Sequence, residues 1–535
     1  MDESSLFQPL NAGLLLTGTF AVYVTLKLTK RTALSDLQGP PKTDWLLGNL
    51  PDIYHSQVGE LDAKWQALYG DVLKYHGAFG EERIWIADPK AAQYIMQTAG
   101  YGFGRASSRR QVLANLLGPG ILSADGLDHK RQRHVMLPGF GMSEAKAYVP
   151  IFSRYASQVS ERWKDLIVRS GSDLEVVNVN RWIARATLDA IGEAAFDYHF
   201  SSLTEDDNTL ANAYNSISQV NSLPNWKAVF DQELNAKLPE FLRNLLNAYW
   251  PSKNVAAAQK IRQVAEDVAS KLVTEKTSAL EEGKSRRDVM SLLLKANATS
   301  EQRARMSDEE LLAQMHTIIG AGHETTTNTL AWGLYELAGQ PELQTRLRAE
   351  IRESCGAGDL SSTVLDGMPY LNAVVKEILR FHPVIYHINR EATRDEVVPL
   401  SKPIVTTTGQ TLDRITIPKG TFTLLAPCAY NRNREIFGDD ADTFDPERWL
   451  TEGKASATHL GVLGNLMTFG GGNRACLGWR FAALEIATFL AELVGEFEFS
   501  LTPECERVRR EPLATMMPGL DGKTEMPLRV RLAPE

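Results

Sequence analysis

One large, mainly helical domain with small peripheral β-sheets is the fold class this sequence predicts. Three observations lead there. Apolar residues recur at helical spacing through 141–170, 177–195, 239–285 and 308–338. Strand-like runs are few and short, at Val72 to Ala87, Ile415-Thr416-Ile417, Glu496 to Leu501 and Leu528 to Leu532. No internal repeat or low-complexity linker interrupts the chain after residue 51. A chain of 535 residues has room for two or three average domains, and its 43% hydrophobic content suffices equally for one unusually large core.

Taken in order, the first element is a membrane anchor at 1–31. No charge occurs from Ser4 to Leu26, Leu14, Leu15, Leu16, Phe20, Val22, Val24 and Leu26 are apolar, and a single-pass span at about residues 6–28 is long enough for a bilayer. Asp2 and Glu3 precede it while Lys27, Lys30 and Arg31 follow, the reverse of a cleavable signal, so the body is expected on the cytosolic side. A cleaved signal and an amphipathic surface helix are the alternatives, the latter because Gln8, Asn11, Thr17, Thr19 and Thr25 dilute the span. Gly39, Pro40, Pro41, Gly48 and Pro51 read as a hinge over 32–51, and 52–535 as the main domain.

Within that domain, Val72 to Ala87 predicts a hairpin ended by Asp88-Pro89. Ser307 with Glu310 three positions on is a capping box, opening a helix that runs to Ala338 before Gly339 and Pro341 stop it. At 1.5 Å per residue it spans about 45 Å, enough to cross a large domain. Gly320 and Gly322 weaken its middle by about 1 kcal/mol each relative to alanine, and threonine hydroxyls beside them can bond back and bend it, which suits a local opening. A helix over Pro369 to Phe381 ends at His382-Pro383.

Composition excludes some functions. The net charge of −9 comes without a long tract of either sign, which gives nucleic-acid binding no support. The four cysteines are too few and too scattered for a disulfide framework and form no C-x-x-C pair, so a reducing compartment is expected.

The stretch Phe469 to Arg480, FGGGNRACLGWR, admits two readings. Gly470-x-Gly472-x-x-Ala475 satisfies a dinucleotide fingerprint, yet only about 35 residues follow its helix and acidic strand, too few for the remaining parallel sheet. The other reading makes Cys476 the point of the loop. A thiolate bound to haem iron needs small neighbours and amide donors, which Gly471, Gly472 and Gly478 allow, and a helix from Leu477 to Leu493 would aim its positive end at the sulfur. Arg474 would reach a haem propionate.

Phe469, Gly472, Arg474, Cys476 and Gly478 together resemble the haem-binding loop of the cytochrome P450 monooxygenases. The resemblance implies that fold over roughly residues 40 to 535, haem b as cofactor, and Cys476 as the axial iron ligand. Ala321 to Thr326 looks like the family's oxygen-activation motif, with Thr325 and Glu324 as catalytic residues. Glu377 and Arg380 match E-x-x-R, and Arg448 in Phe444 to Trp449 would join them in a structural network. Arg133 resembles the arginine of the family's W-x-x-x-R helix, where His129 replaces tryptophan, and Arg390 resembles a further propionate-binding arginine.

The same resemblance implies oxidation of a lipophilic small molecule with O2. Electrons would come from an NADPH-dependent cytochrome reductase, with cytochrome b5 as an added donor, at the endoplasmic reticulum membrane. Lys130, Arg131, Arg432, Arg434 and Arg480 offer a docking face. Substrate contacts fall in 101–122, 215–255, Gln314 to Ala321, Val384 to Asn389 and a turn from Thr515 to Leu520, with Phe103, Leu116, Leu117, Ile385, Met516, Met517 and Leu520 among them. The overall look is similar to fungal members acting in secondary metabolism or on xenobiotics. Alternatives on the same loop are a haem-thiolate isomerase or dehydratase and a non-catalytic haem-binding membrane protein.

Overall fold

A computed structural model describes residues 32–204, 226–238, 270, 272–278, 282, 287–355, 360–451 and 460–534. The expected anchor at 1–31 and most of the helical run 239–285 lie outside the described residues; the described part 272–278 of that run is helical. Among the described residues, no helix is long and apolar enough to cross a membrane.

The β-rich stretches collect in small sheets. Strand β1 (Val72–His76) pairs antiparallel with β2 (Glu82–Ile86), Val72 opposite Ile86. Asp88 ends this hairpin by capping the next helix, its carboxylate accepting from Ala91 N at 2.8 Å. β3 (Phe103–Arg105), β5 (Ile388–Ala392) and β8 (Phe422–Leu425) complete a five-stranded sheet of order β1-β2-β8-β5-β3. β4 (Leu174–Asn178) pairs with β13 (Pro527–Leu532), which pairs with β9 (Phe497–Leu501). β6 (Glu396–Val405) and β7 (Thr411–Ile417) form a ribbon, and β10 (Arg509–Pro512), β11 (Met516–Leu520) and β12 (Lys523–Thr524) a third small sheet. Thr515 to Leu520 is thus mostly strand where the resemblance implies a turn; the ladder to β10, with Met517 opposite Glu511, extends it.

The helices that build the body are α1 (Ser107–Leu117), α2 (Gly126–Met136), α3 (Val149–Ser170), α4 (Val179–Phe196), α5 (Trp226–Lys237), α6 (Asp308–Gly339), α7 (Pro341–Cys355), α8 (Pro369–Phe381) and α9 (Trp479–Glu496). The capping box of α6 is present in both halves: Glu310 N donates to Ser307 Oγ at 3.2 Å and Ser307 N to Glu310 Oε2 at 2.9 Å. Helix α6 then runs unbroken through Gly320 to Thr327, against the expected opening. Thr325, Thr326, Thr327 and Thr329 each donate to the carbonyl four residues back without interrupting it. The glycine serves packing instead, since a Cβ on Gly322 would come within 2.8 Å of Ile191 on α4. That interface also carries polar contacts, Thr187 to Thr327 at 2.8 Å and Asn180 to Asn328 at 2.9 Å.

Helix α9 starts two residues later than the sequence predicts, because Leu477 and Gly478 belong to the turn at Cys476, and it continues past Leu493 into β9. Trp163 of α3 is buried against Phe497 and Phe499 of β9, with edge-on ring contacts at 5.6 and 6.1 Å. The segment expected as a hinge is tied to the body. Leu34 and Leu37 are buried, Lys74 N donates to Gln38 O at 2.9 Å, and Asn49 N donates to His76 O at 2.8 Å.

Candidate functional site

The approach to Cys476 is built by side-chain bonds to the backbone. Asn431 accepts from Met467 N at 3.0 Å and donates to Thr468 Oγ1 at 2.9 Å, and Thr468 donates to Leu379 O at 2.6 Å. The chain then reverses through Gly470 and Gly472, whose φ values of 66° and 63° are left-handed. Any side chain on Gly472 would also overlap the Met96 carbonyl. Cys476 N donates to Phe469 O at 2.9 Å and closes the loop. Burial pushes the Cys476 thiol up, while the Gly478 N–H donated to its sulfur and the charge of Arg133 act the other way. The residue itself is exposed.

Beside this loop the structure gathers cations without matching anions. Arg474 bonds Asp125, yet its Nε and Nη1 are buried with no partner. Arg105 stands opposite Arg390 in the β3–β5 pair, and its Nε is likewise buried and unpartnered. Burial and the neighbouring guanidiniums pull Arg390 down to about 9 and Arg105 to about 10, with Asp125 the one carboxylate among the described residues acting on either. Arg133 donates to Ala475 O at 2.7 Å. His129 is buried, its Nδ1 2.9 Å from the Tyr101 hydroxyl, and burial with Arg474, Arg133, Arg105 and Arg390 lowers it to about 3. Three guanidiniums around one carboxylate leave a buried positive excess that suits a ligand with two carboxylates, as haem has. Sequence reasoning missed Asp125, Tyr101 and Arg105. The local signal for Asp125 is its place as N-cap of α2, where it accepts from Gly126 N at 2.8 Å.

A pH prediction follows. His129 is neutral when folded but takes up a proton near pH 6.5 when unfolded, so the unfolded chain binds more protons between pH 6.5 and about 3 and stability falls as pH drops through that window. In melts of the haem-free protein at pH 7 and 5, His129→Gln is expected to remove about 1–2 kcal/mol of the pH-dependent loss.

Glu324 and Thr325 sit on the middle of α6. Burial raises the Glu324 carboxyl, and the Thr515 hydroxyl, donating to Oε1 at 2.8 Å, opposes that. Thr325 donates to Ala321 O at 2.7 Å, and Ala321 itself is exposed between half-buried Gly320 and Gly322.

Glu377, Arg380 and Arg448 are brought together in one buried network. Arg380 meets both Glu377 oxygens at 2.7 and 2.8 Å, Arg448 Nε donates to Oε1 at 3.2 Å, and Trp449 Nε1 donates to Oε2 at 2.9 Å.

Of the expected docking cations, Arg131 is engaged by Glu310 at 2.5 Å and Arg432 lies over the Phe381 ring at 3.9 Å while donating to Phe381 O, because their elements pack inward. Among the expected substrate contacts, Phe103, Leu117, Met516, Met517 and Leu520 are buried, whereas Leu116 and Ile385 are half-buried. The described part of 215–255 is α5, which Arg83 holds to the β1–β2 hairpin through Glu233 at 2.5 Å.

Comparison with known proteins places this arrangement. A family model described as Cytochrome P450 matches residues 38–523. Cytochrome P450 monooxygenase 205 of Postia placenta is 34% identical over 93% of both chains. Cytochrome P450 monooxygenase 128 of the same fungus is 32% identical over 97% of this chain and 96% of its own. Ganoderic acid synthetase CYP5150L8 of Ganoderma lucidum is 34% identical, covering 88% and 89%.

Proposed function

Because the chain belongs to the cytochrome P450 family and is a monooxygenase-type oxidoreductase, we propose that it holds haem b through Cys476 and oxidises a lipophilic small molecule in fungal secondary or xenobiotic metabolism. The observation that carries the reading is the buried positive excess of Arg105, Arg390 and Arg474 beside that cysteine. These arginines, with Arg133 and His129, are the groups that would hold the haem propionates. Bound there, haem iron supplies the reductive activation of dioxygen. Phe469, Gly472 and Gly478 shape the loop, and the Gly478 N–H shares the charge of the sulfur. Glu324 holds a proton to deliver, and Thr325 Oγ1 keeps lone pairs to accept from water. Glu377, Arg380 and Arg448 support the loop from below and touch no substrate.

A reductase supplies electrons, with cytochrome b5 a further donor, since the domain's own motifs are spent on haem. We further propose the anchor at 1–31 and an endoplasmic reticulum location, with the body at 52–535 facing the cytosol and the joint placed before Leu34. Trp45 and Trp226, 82% and 67% exposed, support a membrane-facing side: Trp45 adjoins and Trp226 lies one helical turn before members of a single cluster that holds Leu46, Leu47 and Val229. The name of the Ganoderma relative supports a biosynthetic role.

The test is to screen lipophilic compounds for a spin-state change, then run the responding compound with reductase and isotopically labelled O2. One labelled oxygen atom in the product is expected. Turnover that needs neither reductase nor O2 would move the protein to isomerase or dehydratase chemistry. Absence of any product would leave a haem-binding protein without turnover.

A further inference from the structure

A buried chain of hydrogen bonds approaches the Glu324 carboxyl from α4. Asn180 Nδ2 donates to Asn328 Oδ1 at 2.9 Å, Asn328 Nδ2 donates to Thr515 Oγ1 at 2.9 Å, and Thr515 Oγ1 donates to Glu324 Oε1 at 2.8 Å. All three upstream residues are buried, at 5%, 0% and 5% exposure. They come from α4, α6 and the residue before β11, so no local sequence pattern joins them.

The order of donors has a consequence. A threonine hydroxyl has one proton. With Asn328 donating to its oxygen, that proton is directed at Glu324, and the bond from Asn180 Nδ2 to Asn328 Oδ1 matches an Asn328 amide that turns its NH2 toward the hydroxyl. Oε1 is therefore held as an acceptor, and the proton of the carboxylic acid belongs on Oε2. We infer that Thr515, Asn328 and Asn180 are positioning residues that fix the Glu324 carboxyl with Oε1 bound and Oε2 as the oxygen that carries and releases the proton.

The inference rests on the reading of Glu324 as the proton-delivering group. Among the described residues, Thr515 is the one partner that opposes burial at this carboxyl, and no charged group contributes. Losing a hydrogen bond to a carboxylate changes its proton affinity by about tenfold, so the effect of one hydroxyl is measurable.

Thr515→Val removes the hydroxyl at constant volume and Thr515→Ser restores it. The first measurement is the infrared C=O stretch of protonated Glu324 in the ferric protein, assigned by its absence in Glu324→Gln. Thr515→Val is expected to move the band to higher frequency, because the carbonyl oxygen loses its donor, and Thr515→Ser to return it. Asn180→Ala, two bonds away, should move it less and in the same direction.

The second measurement needs no substrate. With an NADPH-dependent cytochrome reductase, O2 + NADPH + H⁺ gives H2O2 + NADP⁺ when proton delivery fails, whereas O2 + 2 NADPH + 2 H⁺ gives 2 H2O + 2 NADP⁺ when it succeeds. The H2O2 formed per NADPH is expected to rise in Thr515→Val and fall back in Thr515→Ser. An unshifted band in Thr515→Val, or Thr515→Ser behaving like valine, would overturn the inference. If Glu324→Gln itself leaves the peroxide yield unchanged, it is the proton-delivery reading that falls.

Discussion

Cys476→Ser is expected to abolish the thiolate-type spectrum of the reduced, CO-bound protein and all monooxygenation while leaving the chain folded. The structure separates these outcomes. Loop closure uses the backbone N–H of residue 476, donated to Phe469 O at 2.9 Å, and the preceding segment is held by Asn431 and Thr468, so serine inherits the fold of the loop. It does not inherit the ligand. A serine hydroxyl is far less acidic than a thiol, and the Gly478 amide with the charge of Arg133 cannot make an alkoxide. Cys355→Ser is the control, since that cysteine is half-buried at the end of α7, remote in sequence from the loop, and should leave spectrum and activity intact. A serine protein with wild-type absorbance and turnover would remove Cys476 from the iron.

Why Cys476 could be found in the sequence, and Arg105 could not, is a matter of range. The glycine loop, the capping box of α6 and the helix Pro369–Phe381 are each specified within a few residues, by a reversal that needs glycine, a reciprocal cap or an apolar stripe. Arg105 acquires meaning only when β3 lies against β5 and sets it opposite Arg390, a pairing across more than 280 residues of chain. Asp125 and Tyr101 join the same cluster from separate elements. The family resemblance puts Thr515 in a turn, yet the ladder to β10 extends the stretch that follows it. Arg131 and Arg432 are drawn from the expected docking face for a related reason: charge is visible in the sequence, while Glu310 beside Arg131 and the Phe381 ring beneath Arg432 are not.

The second large effect is expected at Glu377. Its two oxygens accept from Arg380, Arg448, Trp449 and the Asp445 amide, all within 3.2 Å, and both Glu377 and Arg380 are 0% exposed. Glu377→Gln keeps the shape but leaves two buried guanidiniums without their shared carboxylate, a change that costs about 3–5 kcal/mol. Buried ion pairs elsewhere can often be exchanged for apolar residues at no loss. Here that exchange fails, because Arg380 also donates to the carbonyls of Asn431, Ala441 and Thr443 at 2.9, 2.6 and 2.8 Å. Removing it orphans the buried carbonyls of Asn431 and Ala441, while the Thr443 carbonyl keeps Arg448 Nη2 at 3.3 Å. The double variant Glu377→Leu with Arg380→Leu should therefore remain destabilised in thermal melts, with no recovery over Glu377→Gln. Asn431 carries the damage onward, since the residue whose carbonyl Arg380 holds is the one whose side chain binds Met467 and Thr468 ahead of Phe469. Loss of the thiolate-type spectrum should then begin at a lower temperature than global unfolding in the glutamine variant. A double variant as stable as the wild type would show that the network is an ordinary ion pair and that the loop is held by other means.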